Sequence, residues 1–350
     1  MCNAFNILIY ISVSFLLAAL ISPLLFNAGK SFAEVFANKD TTDTFTWLGK
    51  KAAKAEFDTY FKRALLLTAL LGLWPLIRTI RSRPPANDDS FWLSLFRRPG
   101  NSILSGPCQC GIGFFTCGGI FLIMALLIHI LDWRIWNPTV PTNEIPSLAL
   151  KSLQPAIAVS LLEEILFRGL LMGVFLRSFR PAFAIFAISL LFAFVHFLQP
   201  PSGSYVSDPY TLTAGFEMLA LIGQRFLEPQ LLIFAFSNIF LTGIILAIAR
   251  QRTGSIWLPI GMHAGWIFSV QLYLKLTEHH PNHANGAGIY LGDSIREGVL
   301  PLTALIITGI IIVIYLRKSP LRKRPPHDHA TPRLRLPCTL RALQFRASGW

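Results

Sequence analysis

Charge is scarce in this chain: only 14% of its 350 residues are Asp, Glu, Lys or Arg, while 53% are hydrophobic and the mean hydropathy is +0.52. Soluble domains carry roughly 25% charged residues, so this shortage excludes an ordinary soluble class and points to an integral membrane protein. Cysteine is too sparse, at five residues, for a disulfide framework. Cys108, Cys110 and Cys117 cluster at the start of one apolar run, but a structural metal site there wants a fourth ligand nearby. The sequence has no internal repeat and no glycine-rich loop of the kind that cradles phosphates. The C-terminal "RASGW" lacks eukaryotic retention signals, which is compatible with a bacterial plasma (inner) membrane.

What is abundant is apolar sequence. Runs long enough to approach or cross a roughly 30 Å hydrocarbon layer occupy 5–26, 64–80, 111–131, 153–177, 181–198, 230–249, 255–275 and 298–316. The expected fold is therefore all-α, a polytopic transmembrane bundle of about eight spans. Residues 1–4 hold no Lys or Arg, and the run after them is too long for a secretory signal core, so it reads as an anchor. The formal net charge of +13 is uneven, because residues 317–350 hold nine Lys or Arg against Asp328 alone. That tail follows a span directly and is broken by Pro320, Pro325, Pro326, Pro332 and Pro337. It reads as a disordered segment touching anionic lipid rather than as a nucleic-acid arm.

An even number of spans then puts both termini in the cytoplasm. Arg78, Arg81, Arg83, Arg97, Arg98, Arg177, Arg180, Arg250 and Arg252 fall on the same side, as the positive-inside rule requires. Loop 27–63 is basic on the opposite side, but it is long and mixed with Glu34, Asp40, Asp43, Glu56 and Asp58. The expected organisation is an N-terminal region at 1–150 with three spans and basic loops, a core at 151–275, a loop and last span at 276–316, and the tail.

Three polar clusters sit inside spans: Glu163, Glu164 and Arg168 in "SLLEEILFRG", His196 near the end of the fifth, and His263 within the seventh. A charge at the centre of a helix costs roughly 2.5–3.5 kcal/mol on insertion scales, so three unpaired charges in one helix would cost on the order of 8 kcal/mol. Glu164 and Arg168 are four residues apart and share a face, with the Glu on the favourable N-terminal side. Glu163 lies about 100° around the helix from Glu164 and needs a partner elsewhere. Counted along an antiparallel hairpin, Glu163 and His196 come level about 21–23 Å from the turn. His263 descends from the same side, and helix tilt absorbs the remaining difference in depth. One Glu and two His can thus converge inside the bundle.

Such a set can hold and deprotonate a water while the second imidazole stabilises an oxyanion, which is the chemistry of acyl-bond hydrolysis. The same three residues, Glu163, His196 and His263, also match a catalytic zinc site with one open position, and Glu164 then becomes a candidate base. The ligand count leaves both mechanisms open, and Zn2+ is an expected cofactor only in the second.

With E-E-x-x-x-R at Glu163, Glu164 and Arg168, F-x-x-x-H at Phe192 and His196, and a late intramembrane His263, the region 150–275 resembles the CAAX protease and bacteriocin-processing family of intramembrane endopeptidases. The resemblance implies that Glu163 activates water, His196 assists it, His263 serves the oxyanion or a metal, and Glu164 with Arg168 forms a supporting ion pair. It also implies a peptide or membrane-anchored protein substrate, prenylated or a peptide precursor, with no nucleic-acid partner. One position departs: where the family commonly has Asn or an acidic residue four places after this His, the chain has Ile267. The Trp266 indole and the Asn238 amide are the candidate replacements.

Two other readings compete. Intramembrane Glu, Arg and His also build proton relays in transporters, although no matched pair of Gly/Pro-interrupted spans appears. A non-catalytic immunity or scaffold member of the same fold would account for Ile267. His279, His280 and His283 read as a solvated loop, and "LTAGFEMLALIGQRF" as an amphipathic segment lying on the membrane or covering the site.

Overall fold

The structure, a computed structural model, describes residues 2–37, 43–80, 106–228, 231–280, 290 and 298–318. The basic tail from residue 319, the arginines from Arg81 to Arg98, and His283 lie outside the described residues. Eleven α-helices order the rest: α1 (Cys2–Phe36), α2 (Thr44–Lys54), α3 (Phe57–Ile80), α4 (Gly106–Ile130), α5 (Ile145–Glu164), α6 (Met172–Ser178), α7 (Pro181–His196), α8 (Ala214–Arg225), α9 (Ser237–Thr253), α10 (Trp257–Leu276) and α11 (Val299–Lys318). Two π-helical segments, Ile165–Leu171 and Leu231–Phe236, join α5 to α6 and lead into α9. The fold is all-α and of membrane type.

Each of the eight expected spans falls on helix, but among the described residues only four stretches have the length and apolarity to cross a membrane on those grounds alone: Phe5–Phe36, Gly106–Ile130, Ile233–Thr253 and Val299–Arg317. The α5–α6 rod is interrupted by Glu163, Glu164 and Arg168, and α7 is apolar throughout but has only 16 residues. Leu8, Leu16, Leu20 and Leu24 stand exposed on α1 while Ile7, Ala18, Ala19 and Ser22 are buried. An apolar outer face is what lipid requires, because hydrocarbon takes the place of water as solvent.

Segment 27–63, expected as a loop, is mostly helical. Helix α1 runs on through Pro23 as far as Phe36. α2 then starts where Asp43 Oδ1 accepts the Thr46 N–H at 2.7 Å, an N-cap that satisfies one orphan donor. Lys30 Nζ reaches across to the carbonyls of Ala53 at 2.7 Å and Ala55 at 2.9 Å, a cation placed at the negative end of α2. Mixed polarity hid these helices from a search for apolar runs.

Helix α10 packs on α4 backbone to backbone. A Cβ at Gly261 would strike the Cys110 carbonyl, one at Gly265 the Phe114 carbonyl, and one at Gly113 the Leu258 carbonyl. Small residues four apart allow this close approach in membrane helices. Helix α9 ends at Gly254, whose φ of 68° is the left-handed conformation that glycine adopts without penalty, and the chain turns back into α10.

Two three-residue strands, β1 (Arg134–Trp136) and β2 (Thr277–His279), pair antiparallel at the far ends of α4 and α10. Buried Arg134 locks the pair, donating from Nε to Thr277 Oγ1 at 2.9 Å and from Nη2 to the Thr277 carbonyl at 2.7 Å. The amphipathic segment forms α8, which buries Ala214, Gly215, Met218 and Ile222 and brings Gly215 against Ala19 of α1. It is held by the N-terminal helix, and none of its residues lines the cavity described below.

Candidate functional site

The two adjacent glutamates end α5, and helix phase sends them to different places. Glu164 is fully buried and accepts from Arg168 Nη1 at 2.8 Å. The same Oε1 atom accepts from His263 Nδ1 on α10 at 2.9 Å. The chain between Glu164 and Arg168 is π-helical, a wider turn that recurs at functional sites, and the two side chains still meet. Arg168 also donates from Nη2 to the Gly243 carbonyl of α9 at 3.3 Å, and its guanidinium lies 4.1 Å from the centre of the Phe192 ring. From α9, Arg250 Nε donates back to the Arg168 carbonyl at 3.3 Å. One ion pair thus fastens α5, the π turn, α7, α9 and α10 together.

Glu163 turns the other way, toward a cavity of about 350 Å³. Its Oε2 lies 3.7 Å from His196 Nε2 and 3.9 Å from His263 Nε2. That oxygen is shielded from solvent and has no hydrogen-bond partner among the described residues. The protonation of both rings follows from what sits behind them. His196 Nδ1 is 2.7 Å from the Phe192 carbonyl, which can only accept, so Nδ1 carries the proton. His263 Nδ1 faces a carboxylate and carries its proton for the same reason. With Nδ1 so engaged, each ring turns its Nε2 toward Glu163.

The structure brings Glu163, His196 and His263 together on the cavity wall and leaves Glu164 and Arg168 behind it. Ile267, Trp266 and Asn238 line the same cavity. Asn238 Nδ2 donates to the Gly298 carbonyl at 3.3 Å. Thr242 and Gln271 also line it and carried no motif, although a polar Gln271 eight residues after His263 within one span was a readable signal. The rest of the wall is apolar and includes Ile120, Phe121 and Met124 of α4 with Pro301, Ala304 and Leu305 of α11.

The Glu163 carboxylate thus faces two imidazole rings on the wall of an apolar cleft in a helical bundle. Residues 145–269, about a third of the chain, match the family model described as type II CAAX prenyl endopeptidase Rce1-like. This segment is similar to that CAAX protease family. No curated protein and no solved structure matched the chain. The matched segment begins with α5 and ends within α10, so α4 and α11 close the cavity from outside it.

Among the described residues, no group of three or more His, Cys, Asp or Glu is gathered closely enough to hold a metal ion. Tetrahedral zinc with bonds of about 2.0–2.1 Å sets its ligand atoms roughly 3.3–3.4 Å apart, closer than the 3.7 and 3.9 Å seen from Glu163 Oε2. The two gaps are thus a few tenths of an ångström wider than bound zinc would set between the same atoms.

Proposed function

We propose that the protein is an intramembrane endopeptidase that hydrolyses a peptide bond in a membrane-anchored, CAAX-type prenylated protein or a peptide precursor. The observation that carries this reading is the Glu163 carboxylate facing both imidazole Nε2 atoms across 3.7 and 3.9 Å. A water held there donates one proton to Glu163 as its oxygen attacks the substrate carbonyl carbon. The carbonyl oxygen takes the negative charge of the tetrahedral intermediate. Glu163 passes that proton to His263 Nε2, where Glu164 stabilises the imidazolium, as a buried carboxylate does behind the histidine of a hydrolase triad. The resulting Nε2–H is a donor for the oxyanion or for the departing amine nitrogen. The C–N bond then breaks, with the amine receiving the proton taken from water.

A divalent cation is the second reading, supported by one observation. Both histidines have Nδ1 anchored, His196 to a carbonyl and His263 to a carboxylate, which is how metal-ligating imidazoles are oriented. Glu163, His196 and His263 would be the ligands of Zn2+, which would supply a Lewis acid and an activated water.

The test uses purified full-length protein in detergent, offered a quenched peptide library and a prenylated CAAX peptide. Cleavage by wild type and its loss in Glu163→Gln supports the peptidase, and sensitivity to a zinc chelator separates the two chemistries. Proton flux in liposomes without any cleavage would replace the reading with a transporter. A well-folded wild type inert in both assays points to the non-catalytic scaffold.

A further inference from the structure

The cavity does not stop at the glutamate. It runs along α10 from His263 past Ile267 to Gln271, eight residues or about 12 Å of helix. Its walls along this stretch are Val159, Val270, Met124, Ala304 and Leu305. Of the other polar side chains on the wall, Asn238 Nδ2 is committed to the Gly298 carbonyl and Thr242 Oγ1 donates to the Asn238 carbonyl at 2.9 Å. The carboxamide of Gln271 has no hydrogen bond to any described residue. Gln271 is half-buried on this wall, so its carboxamide is within reach of an occupant of the cleft.

An extended peptide in such a cleft has the complementary problem. Its N–H and C=O groups leave water and must be paired inside the protein. A primary carboxamide offers a donor and an acceptor side by side, which suits the N–H and C=O of one extended residue. At about 3.3 Å per residue, the distance from His263 to Gln271 corresponds to three to four residues of extended chain.

We infer that Gln271 is a substrate-binding residue, pairing with the peptide backbone about three to four residues from the bond that is cut. This rests on the peptidase reading of the site, and it makes the cleft a track for a short unfolded segment. The segment's side chains meet an apolar wall and its main chain is recognised at one point beyond the reacting bond. Ile267, between the two, supplies a smooth apolar floor.

The experiment measures binding as well as cleavage. A fluorescent prenylated CAAX peptide and its unprenylated counterpart are titrated onto Glu163→Gln, and onto the same protein also carrying Gln271→Met, which keeps the length of the side chain, or Gln271→Glu, which keeps acceptors and removes the donor. Expected is binding weakened about tenfold by Gln271→Met and an intermediate loss with Gln271→Glu. Single N-methylation of the peptide, scanned along both sides of the cleaved bond, should cost the same factor at one position in the Gln271-intact protein and nothing further in Gln271→Met. Equal affinity of the Gln271-intact and Gln271→Met proteins, or no peptide binding by either, overturns the inference. Cleavage by wild type against Glu163→Gln reports separately on the peptidase reading, so a failed subsite and a failed peptidase give different results.

Discussion

Glu163 and Glu164 are chemically identical neighbours in surroundings that share almost nothing. Glu164 is fully enclosed, its Oε1 held between Arg168 and His263. Glu163 lines a cavity with its side chain 21% exposed, and two imidazole nitrogens lie 3.7 and 3.9 Å from its Oε2. The division follows from one step of about 100° around α5. The neutralised carboxylate fixes the scaffold, and the uncommitted one is available for chemistry. Without the first, the second would lose the orientation of His263.

Substitutions at the two positions separate these tasks. The largest effect on cleavage is expected from Glu163→Gln, a loss of roughly 10²- to 10⁴-fold as for a removed general base, with the thermal unfolding midpoint in detergent unchanged. A fall in the midpoint of the same protein would erase the contrast by making Glu163 structural too. Glu164→Gln should lower cleavage by about 10- to 100-fold, as for a lost partner behind a working histidine. It should also lower stability by roughly 3–5 kcal/mol, because a buried arginine is left without its counter-ion. A thermal scan beside the cleavage assay reads both. Phe192→Leu removes the ring under the Arg168 guanidinium and should cost about 0.5–2 kcal/mol, seen as a lower midpoint with cleavage largely kept. Asn238→Ala is the mildest, about 1 kcal/mol from the lost bond to Gly298. A large fall in cleavage there, with the midpoint intact, would instead make Asn238 the oxyanion donor that Ile267 cannot be.

Much of this contrast was legible in the sequence, because helix periodicity is local. The four-residue spacing of Glu164 and Arg168 and the odd phase of Glu163 need only 3.6 residues per turn. The meeting of α5 with α7 needs only the short turn between them. Glu164 accepting from His263 was not legible, since it depends on how far α10 sinks against α4, and that depth is set by glycines whose role appears only when two backbones touch. The π turn after Glu164 was invisible for a similar reason: nothing in "ILFRGLL" distinguishes it from an ordinary helix. The α4 and α11 walls of the cavity escaped because apolar residues facing a cleft look the same as apolar residues facing lipid. The helices inside 27–63 were missed because the search rewarded apolarity, and α2 draws its stability from a cap and from Lys30.

The glycine contact between α4 and α10 also bears on how a bulky substrate gets in. Two helices that touch through their backbones cannot part without losing that whole line of contact at once, so they move as a single stiff plate carrying His263. Across the cleft from this plate the wall is made by side chains of α11, Pro301, Ala304 and Leu305. Mechanically the site has one stiff jaw, joined backbone to backbone, and a facing jaw built only of side chains.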